Sequence, residues 1–475
     1  MSRIRVAVVG AGAGGLCAAK HFLAAASRYD VSVFEQTSEV GGTWVYREEN
    51  GASANGKFVH SSMYANLRTN LAKEIMAYPD YQFPSHLPSF VSHRDVHKYL
   101  QDYSRHFNIH QRINFDTTVV DVAPVADAEH AAAACDADVA GKRADGSALE
   151  WLGPRWQVTH RSAVDERAPA KTELFDSVMI CNGHYFQPLC PSIPGMEHFR
   201  GAHFHSHDYR RPEAFSDQVV VVAGCGASGQ DICLDLASTA KHVMLSASPD
   251  KWISAWLPSN IERRPRIERV NADGNVVFAD GDVRQVDSIL WCTGYGYSFP
   301  FLNRRCGMAV HDQRYIQPMY KHIVNAMYPS MMFIGMPYTI LPNQVMDIQV
   351  KYTKAVLDGQ HDLPTTEEMI AWQDRDYEKR LAEGLRSHEA HLMAQRQFEY
   401  VMDLAECAGI PPIPAHIRAI YEYIMDGRAR NLTRYRQQNF HIRHDVQTAP
   451  GVSASDLFEV VPASNTAADK QTASE

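Results

Sequence analysis

No C-x-x-C pair occurs among the nine cysteines, which are odd in number and scattered from Cys17 to Cys407. That spacing argues against a secreted disulfide scaffold and a zinc knuckle, and it removes the dithiol a disulfide reductase needs. Long apolar runs are also missing. The longest uncharged apolar stretch, Val6 to Ala19, is largely glycine and alanine and falls short of the roughly 20 residues a membrane span requires. Arg3 and Arg5 lead straight into it without the pattern of a signal peptide, and the small polar residues 463–475 form no tail anchor and are expected to be disordered. There is no excess of positive charge: 46 Lys and Arg against 55 Asp and Glu leave −9, the opposite of a nucleic-acid footprint. With 28 glycines and 24 prolines in 475 residues, collagen-like and broadly low-complexity chains are excluded. These absences describe a cytoplasmic protein with no membrane anchor and no nucleic-acid partner, long enough for two or three domains.

What is present is an internal repeat. Val6-Ala-Val-Val-Gly10-Ala-Gly12-Ala-Gly-Gly15 matches Val220-Val-Val-Ala-Gly224-Cys-Gly226-Ala-Ser228-Gly229 at six of ten positions. Each copy is a β-branched run, then G-x-G-x-x-G, then a helical pattern. Each is followed by a second strand, Val31–Phe34 and His242–Leu245, and later by a buried one. Asp176-Ser-Val-Met-Ile-Cys181-Asn-Gly183 echoes Asp287-Ser-Ile-Leu-Trp-Cys292-Thr-Gly294. The pattern predicts an α/β fold with two Rossmann-like dinucleotide-binding domains, the second inserted in a discontinuous first. The boundaries fall at 1–184, 185–296 and 297–462, with 463–475 as a tail. The strand Met331–Ile334 returns the chain to the first domain. A helical cover with a solvated charged face is expected from Thr366 to Ile424. The eleven alanines of 123–148 read as a surface excursion.

A single G-x-G-x-x-G is weak; two in this context are not. The first glycine permits the tight turn, the second lets backbone approach a pyrophosphate, and the third lets helix pack on strand. The helix N-terminus then offers N–H donors to the phosphates. Glu35, just after the second strand of the first unit, can accept both ribose hydroxyls, so that site suits FAD or NAD. The matching place in the second unit, Ser246-Ala-Ser248, has no acid to repel a 2′-phosphate, which permits NADP, and Lys251 is near enough in sequence to pair with one.

Past Glu35 further motifs appear: Gly41-Gly42-Thr43-Trp44, then Tyr64-Ala-Asn66-Leu-Arg-Thr69-Asn70-Leu71-Ala-Lys-Glu74. The segment Phe199-Arg-Gly201-Ala-His-Phe-His205-Ser-His-Asp-Tyr209 fits F-x-G-x-x-x-H-x-x-x-[YF]. With Gly224-x-Gly226-x-Ser228-Gly229-x-Asp231 and Thr293-Gly294-Tyr295, these resemble the flavin-containing monooxygenases in order and spacing over about residues 5–360. The resemblance implies that Gly10, Ala11, Gly12, Ala13, Gly14 and Gly15 hold the FAD pyrophosphate and Glu35 its ribose. Gly42, Thr43, Trp44 and Val119 would also contact FAD. Thr69, Asn70 and Leu71 would lie between flavin and nicotinamide, and Gly224, Gly226, Ser228, Gly229, Gln230 and Asp231 would bind NADP. His205 and Tyr209 would shape the junction between the domains.

The implied reaction is an NADPH- and O2-dependent oxygenation of an amine or sulfide through a 4a-hydroperoxyflavin, in an enzyme that can be a homodimer. Because the cofactor carries the reactive oxygen, little acid–base work falls to the protein. Asn70 is the one residue expected to be catalytic. Two alternatives stand beside this: a Baeyer–Villiger monooxygenase, whose relatives carry Trp where this chain has Tyr209, and a non-catalytic NADP/FAD-binding sensor. No arginine stands near Ser248, where many relatives have one. No metal site is expected. His203, His205 and His207 alternate as on one strand face, but no further ligand type accompanies them. His388-Glu-Ala-His391 lacks the spacing of a zincin motif and reads as an exposed turn.

Overall fold

The computed structural model describes residues 3–49, 61–125, 155–165, 167–252, 256–443, 453 and 456–463. Nearly all of the alanine-rich stretch (126–148) and the tail from 464 lie outside the described residues.

The strand Ile4–Val9 is buried at every position but one. A strand covered on both faces belongs inside a parallel sheet, and there it lies, between Tyr29–Phe34 and Ser177–Ile180, parallel to both. Ile113–Asn114 extends the sheet on one side and Met331–Phe333 on the other. Val324–Asn325 and Met319–Tyr320 close that edge antiparallel. A second sheet repeats the plan around Val219–Ala223, with His242–Ser246 and Ser288–Trp291 beside it and Ile261–Arg264 and Ala202–His205 at its edges, all parallel. Every strand of the second sheet falls in sequence between Ser177–Ile180 and Met319–Tyr320 of the first. One Rossmann-like unit is thus inserted in another, as the internal repeat predicts.

Each central strand turns into a helix, Ala13–Leu23 or Ala227–Leu236. One face of the first sheet is covered by the antiparallel strands Thr117–Pro124, Trp156–Ser162 and Lys171–Phe175. Trp156 anchors them: it is fully buried, and its indole N–H donates to Ser330 Oγ at 2.9 Å. The other face is covered by helices. Pro342–Asp358 packs on Ala13–Leu23 and in turn carries Gln397–Ala408. The expected cover consists of Thr366–Ala382, Gln397–Ala408 and Ala415–Arg430, the first opened by a Thr365–Glu368 capping box. Its charge is not all solvated, contrary to expectation. Arg380 is buried, donating to Asp376 at 2.6 Å and to the Leu392 carbonyl at 2.6 Å. Past this cover the described residues end in the antiparallel pair Gln438–Ile442 and Phe458–Pro462, with a further bond from Ala463 N–H to the Gln437 carbonyl.

The helix Pro342–Asp358 is unusual in what it buries. Asn343 and Gln344 donate to the carbonyls of Met76 and Ala77, and Gln349 joins Gly335 N–H to the Tyr400 hydroxyl. Gln349 thereby fixes the loop after Met331–Phe333 against the helix, and Asn343 and Gln344 fix the segment at Met76–Ala77. Each of these three buried amides makes a hydrogen bond, which is the condition for placing it there.

Two glycine loops and the seam between them

The two loops are built alike. Gly10 and Gly224 have φ of +105° and +120°, and a Cβ there would stand 2.6 Å and 2.2 Å from the carbonyl oxygens of Cys181 and Cys292. The two echoing segments of the sequence therefore do the same work, each laying one carbonyl against the first glycine of its loop. A Cβ on Gly15 or Gly229 would stand 1.9 Å from the carbonyl oxygen of Gly10 or Gly224. The second glycines differ. Gly12 faces the Gly42 Cα, 3.6 Å from its own would-be Cβ, whereas nothing lies within 4 Å of one on Gly226. Both are helix N-caps that give no side chain to the first-turn N–H groups. Two sets of first-turn donors without a side-chain cap, at two helix N-termini, are what a pair of pyrophosphates would satisfy.

Glu35 is buried, with one carboxylate oxygen accepting Ala11 N–H at 2.8 Å and the other accepting Thr37 N–H and Oγ–H at 2.9 and 2.8 Å. It pins the first loop, and a carboxylate oxygen has lone pairs left for a ribose hydroxyl. Burial pushes its pKa up. Val119 is buried beside Phe34 in one apolar cluster, and nearby Thr117 N–H donates to the Glu35 carbonyl at 2.9 Å. Gly42–Trp44 forms a short turn over the first loop, where Thr43 Oγ1 lies 3.2 Å from Ser62 Oγ.

Thr69, Asn70 and Leu71 sit on a strut tied to the segment 89–92: Thr69 N–H donates to Val91 and Lys73 N–H to Ser89. Thr69 Oγ1 is buried and bonds nothing, a vacancy in hydrogen bonding that a bound ligand would satisfy. Asn70 is half-buried with no side-chain partner among the described residues. This strut meets the inserted domain directly. Tyr64 OH donates to Asp231 at 3.3 Å, and Asn66 to Asp235 at 2.9 Å. Tyr209 OH donates to Asp235 at 2.6 Å and its ring packs on Tyr64 with centroids 5.4 Å apart. His205 packs likewise on Tyr295, centroids 5.0 Å apart.

A cavity of about 480 Å³ opens against Gly224, Gly226, Ser246 and Ser248. Its other walls carry Lys251 and Arg266 from the inserted domain and Arg314 and Arg386 from the surrounding one. Sequence reasoning offered Lys251 alone. The arginines are missed because they come from distant chain segments, with only charge as a signal. Glu389 accepts from Arg386 at 2.5 Å and from its N–H at 3.0 Å, and its pKa is lowered to about 2. The side chains of Gln230 and Asp231, expected at the second nucleotide, are bonded by two arginines of the C-terminal segment. Gln230 Oε1 accepts from Arg428 at 2.6 Å, and Asp231 from Arg436 at 2.6 Å.

The other histidines fall differently from expectation. His203 is exposed while His205 and His207 are buried, because the strand ends at His205 and a tight turn follows. His391 is not on an exposed turn but fully buried. Its Nε2 accepts Ile316 N–H at 3.1 Å, so its Nδ1–H donates to His322 Nδ1 at 2.9 Å. Burial holds both imidazoles neutral, their pKa values lowered. Cys17, His21 and Asp347 converge as buried potential ligands. Asp347, however, is already bonded to His21 at 2.7 Å and paired with Lys351 of its own helix at 2.6 Å, which makes the group a polar contact between packed helices.

A family model described as flavin-binding monooxygenase-like matches residues 3–257 and 254–418. The chain is 38% identical over 421 residues to flavin-containing monooxygenase FMO GS-OX-like 4 of Arabidopsis thaliana, spanning 85% of this chain and 87% of that one. It is 36% identical over 430 residues to FMO GS-OX5 of the same plant, spanning 87% and 86%. Among solved structures it is similar to S-allyl-L-cysteine S-oxygenase from Allium sativum, with TM-score 0.77 and 33% identity over 92% of this chain and 95% of that one. Cyclohexanone monooxygenase shares the fold alone, at TM-score 0.57 and 14% identity over 86% of this chain and 98% of that one. Among the described residues no helix is long and apolar enough to cross a membrane.

Proposed function

The chain belongs to the flavin-binding monooxygenase-like family, whose cofactors are FAD and NADPH, and we propose that it uses NADPH and dioxygen to oxygenate soft nucleophilic sulfur or nitrogen of a small molecule. One observation carries this reading. The strut bearing Thr69 and Asn70 lies at the seam where the inserted domain meets the first, hydrogen-bonded to the helix of the second glycine loop. A group there can touch both nucleotides at their reactive ends. The sulfur reading is supported by the S-oxygenase to which the chain is similar. We place the domain boundaries at 184/185 and 296/297 and the protein in a reducing cytoplasm, which suits the free cysteines among the described residues.

Bound together, FAD and NADPH supply hydride transfer and the activation of dioxygen. The first-turn N–H groups after Gly12 would hold the FAD pyrophosphate, with Glu35 at its ribose, and those after Gly226 would hold the NADPH pyrophosphate. Thr69 Oγ1 and the Asn70 amide would donate to the ring systems. The Asn70 amide offers two N–H donors and a carbonyl, so one residue can orient groups on both cofactors without exchanging a proton. The apolar packing behind the strut excludes water, which keeps reactive oxygen from being lost as peroxide.

A panel of a dialkyl sulfide, a tertiary amine and a cyclic ketone, with NADPH consumption followed alongside product, tests the reading. Sulfoxide or N-oxide should form with about one product per NADPH, as expected for a coupled flavoenzyme. Ester from the ketone with no heteroatom product would establish the Baeyer–Villiger alternative instead.

Lys251 and Arg266 take the place of the missing arginine after Ser248. Replacing both with alanine should lower the NADPH-over-NADH ratio of kcat/KM about 10- to 100-fold, since a hydrogen bond to a charged group contributes about 1.5–3 kcal/mol. Constants for NADH should stay put. An unchanged ratio would move the 2′-phosphate away from this wall of the cavity.

A further inference from the structure

The C-terminal segment 428–436 reaches across both domains through two arginines, and neither belongs to a motif of the sequence. Arg436 is the more telling. Its Nε donates to the Thr69 carbonyl at 2.8 Å, the carbonyl immediately before Asn70. Its Nη2 donates to Asp231 Oδ2 at 2.6 Å and to the Arg68 carbonyl at 3.4 Å. The Arg436 and Asp231 side chains are 15% and 14% exposed, and the guanidinium lies over the Tyr435 ring at 4.9 Å. One planar fork therefore joins the strut to the helix of the second glycine loop. Arg428 adds a parallel tie to Gln230, the preceding residue of that helix.

The charges make the contact matter. Asp231 and Asp235 stand one turn apart on the helix Ala227–Leu236 and both face the strut. Asp235 is held by the neutral donors Tyr209 and Asn66. Arg436 is a cation bonded directly to Asp231, the first of these two acids. Without it a half-buried carboxylate loses its counter-charge next to a second carboxylate, a costly arrangement that separation of the two domains would relieve. Lysine cannot replace the fork, because a single ammonium does not reach two partners in fixed directions.

We propose that Arg436 is a positioning residue: by bonding the Thr69 carbonyl and Asp231 at once, it sets where Asn70 stands relative to the nicotinamide end of the second nucleotide. The inference rests on the proposed reading of the two loops and adds a residue to it. Asp231 is thereby reassigned from nucleotide contact to anchor of the seam.

The test uses holoenzyme and two ligands. On the proposed reading NADP+ would reach the seam and should perturb the flavin absorbance spectrum; 2′,5′-ADP, which has no nicotinamide, would not. Arg436→Met should keep flavin at wild-type stoichiometry and bind 2′,5′-ADP with unchanged affinity. It should lose the NADP+-induced difference spectrum, bind NADP+ about tenfold more weakly, and release most of its reducing equivalents as peroxide. Arg436→Lys should recover little of this. Asp231→Asn, which keeps shape and fold, should show the same losses, and the double variant should be no worse than either single one. A wild-type difference spectrum in Arg436→Met or Asp231→Asn would overturn the proposal. So would parallel loss of flavin and 2′,5′-ADP binding, which marks a residue that only holds the fold. A wild-type protein that shows the difference spectrum but yields no oxygenated product would sink the monooxygenase reading alone, and the comparison of variants would still decide the role of Arg436.

Discussion

Gly15→Ala should yield protein that purifies largely without flavin, while Gly229→Ala should keep its flavin and lose reduction by NADPH. In both, the new methyl would stand 1.9 Å from the carbonyl oxygen of the first glycine of its own loop, where real contacts do not fall below 3.0 Å. The obstacle is backbone, so no side chain can swing away. Relief must come from moving the helix off the strand or the loop off the helix, and either motion spoils the N–H cradle. Overpacking of this kind costs about 1–3 kcal/mol, occasionally more, which a domain of this size can survive. The cradle needs its donors aligned on one pyrophosphate and tolerates the shift less well. The ratio of flavin to protein absorbance should fall at least about tenfold in Gly15→Ala, a loss of roughly 1.4 kcal/mol or more in binding. Calorimetry with NADP+ should be silent in Gly229→Ala. Stoichiometric flavin in the first variant, or normal NADPH reduction in the second, would show that the loops hold something else.

Asn70→Ala should separate reduction from oxygenation. On the proposed reading, removing the amide would take away a neutral donor to the reacting groups, and loss of one such preorganised donor costs about 10²–10³ in rate at comparable sites. Flavin content and NADPH oxidation should persist, because the glycine loops and Glu35 are untouched. The product per NADPH should drop from near one to below about 0.1, with hydrogen peroxide making up the difference. Normal stoichiometry in this variant would remove Asn70 from the chemistry and leave it a spacer.

Much of this architecture is legible in the sequence because it rests on local pattern. The β-branched runs before Gly10 and Gly224, the acid at Glu35 and the echoing strands before Cys181 and Cys292 are each visible within a few residues. The inserted order of the two units follows from the repeat. Other features leave no such trace. Pro342–Asp358 buries Asn343, Gln344, Asp347 and Gln349, so its inward face reads as polar although it lies in the core. The cavity arginines and the ties from Arg428 and Arg436 join residues up to several hundred positions apart. Only the fold brings them together. Gln230 and Asp231 illustrate the converse: their place in a motif suggests nucleotide contact, and their side chains also bond Arg428 and Arg436, which no motif announces. His391 follows the same rule, drawn inward by His322 from a loop whose own residues give no hint of it.

The second glycines of the two loops have a consequence in time. Gly12 is roofed by Gly42 and the turn that carries Thr43 and Trp44, whereas Gly226 faces open space. On the proposed reading, a nucleotide on the first loop would leave only when that roof lifts, whereas one on the second loop would meet no such cover. The same ten-residue pattern would then build a resident and a visitor, and the difference between them lies in what another segment lays over the middle glycine.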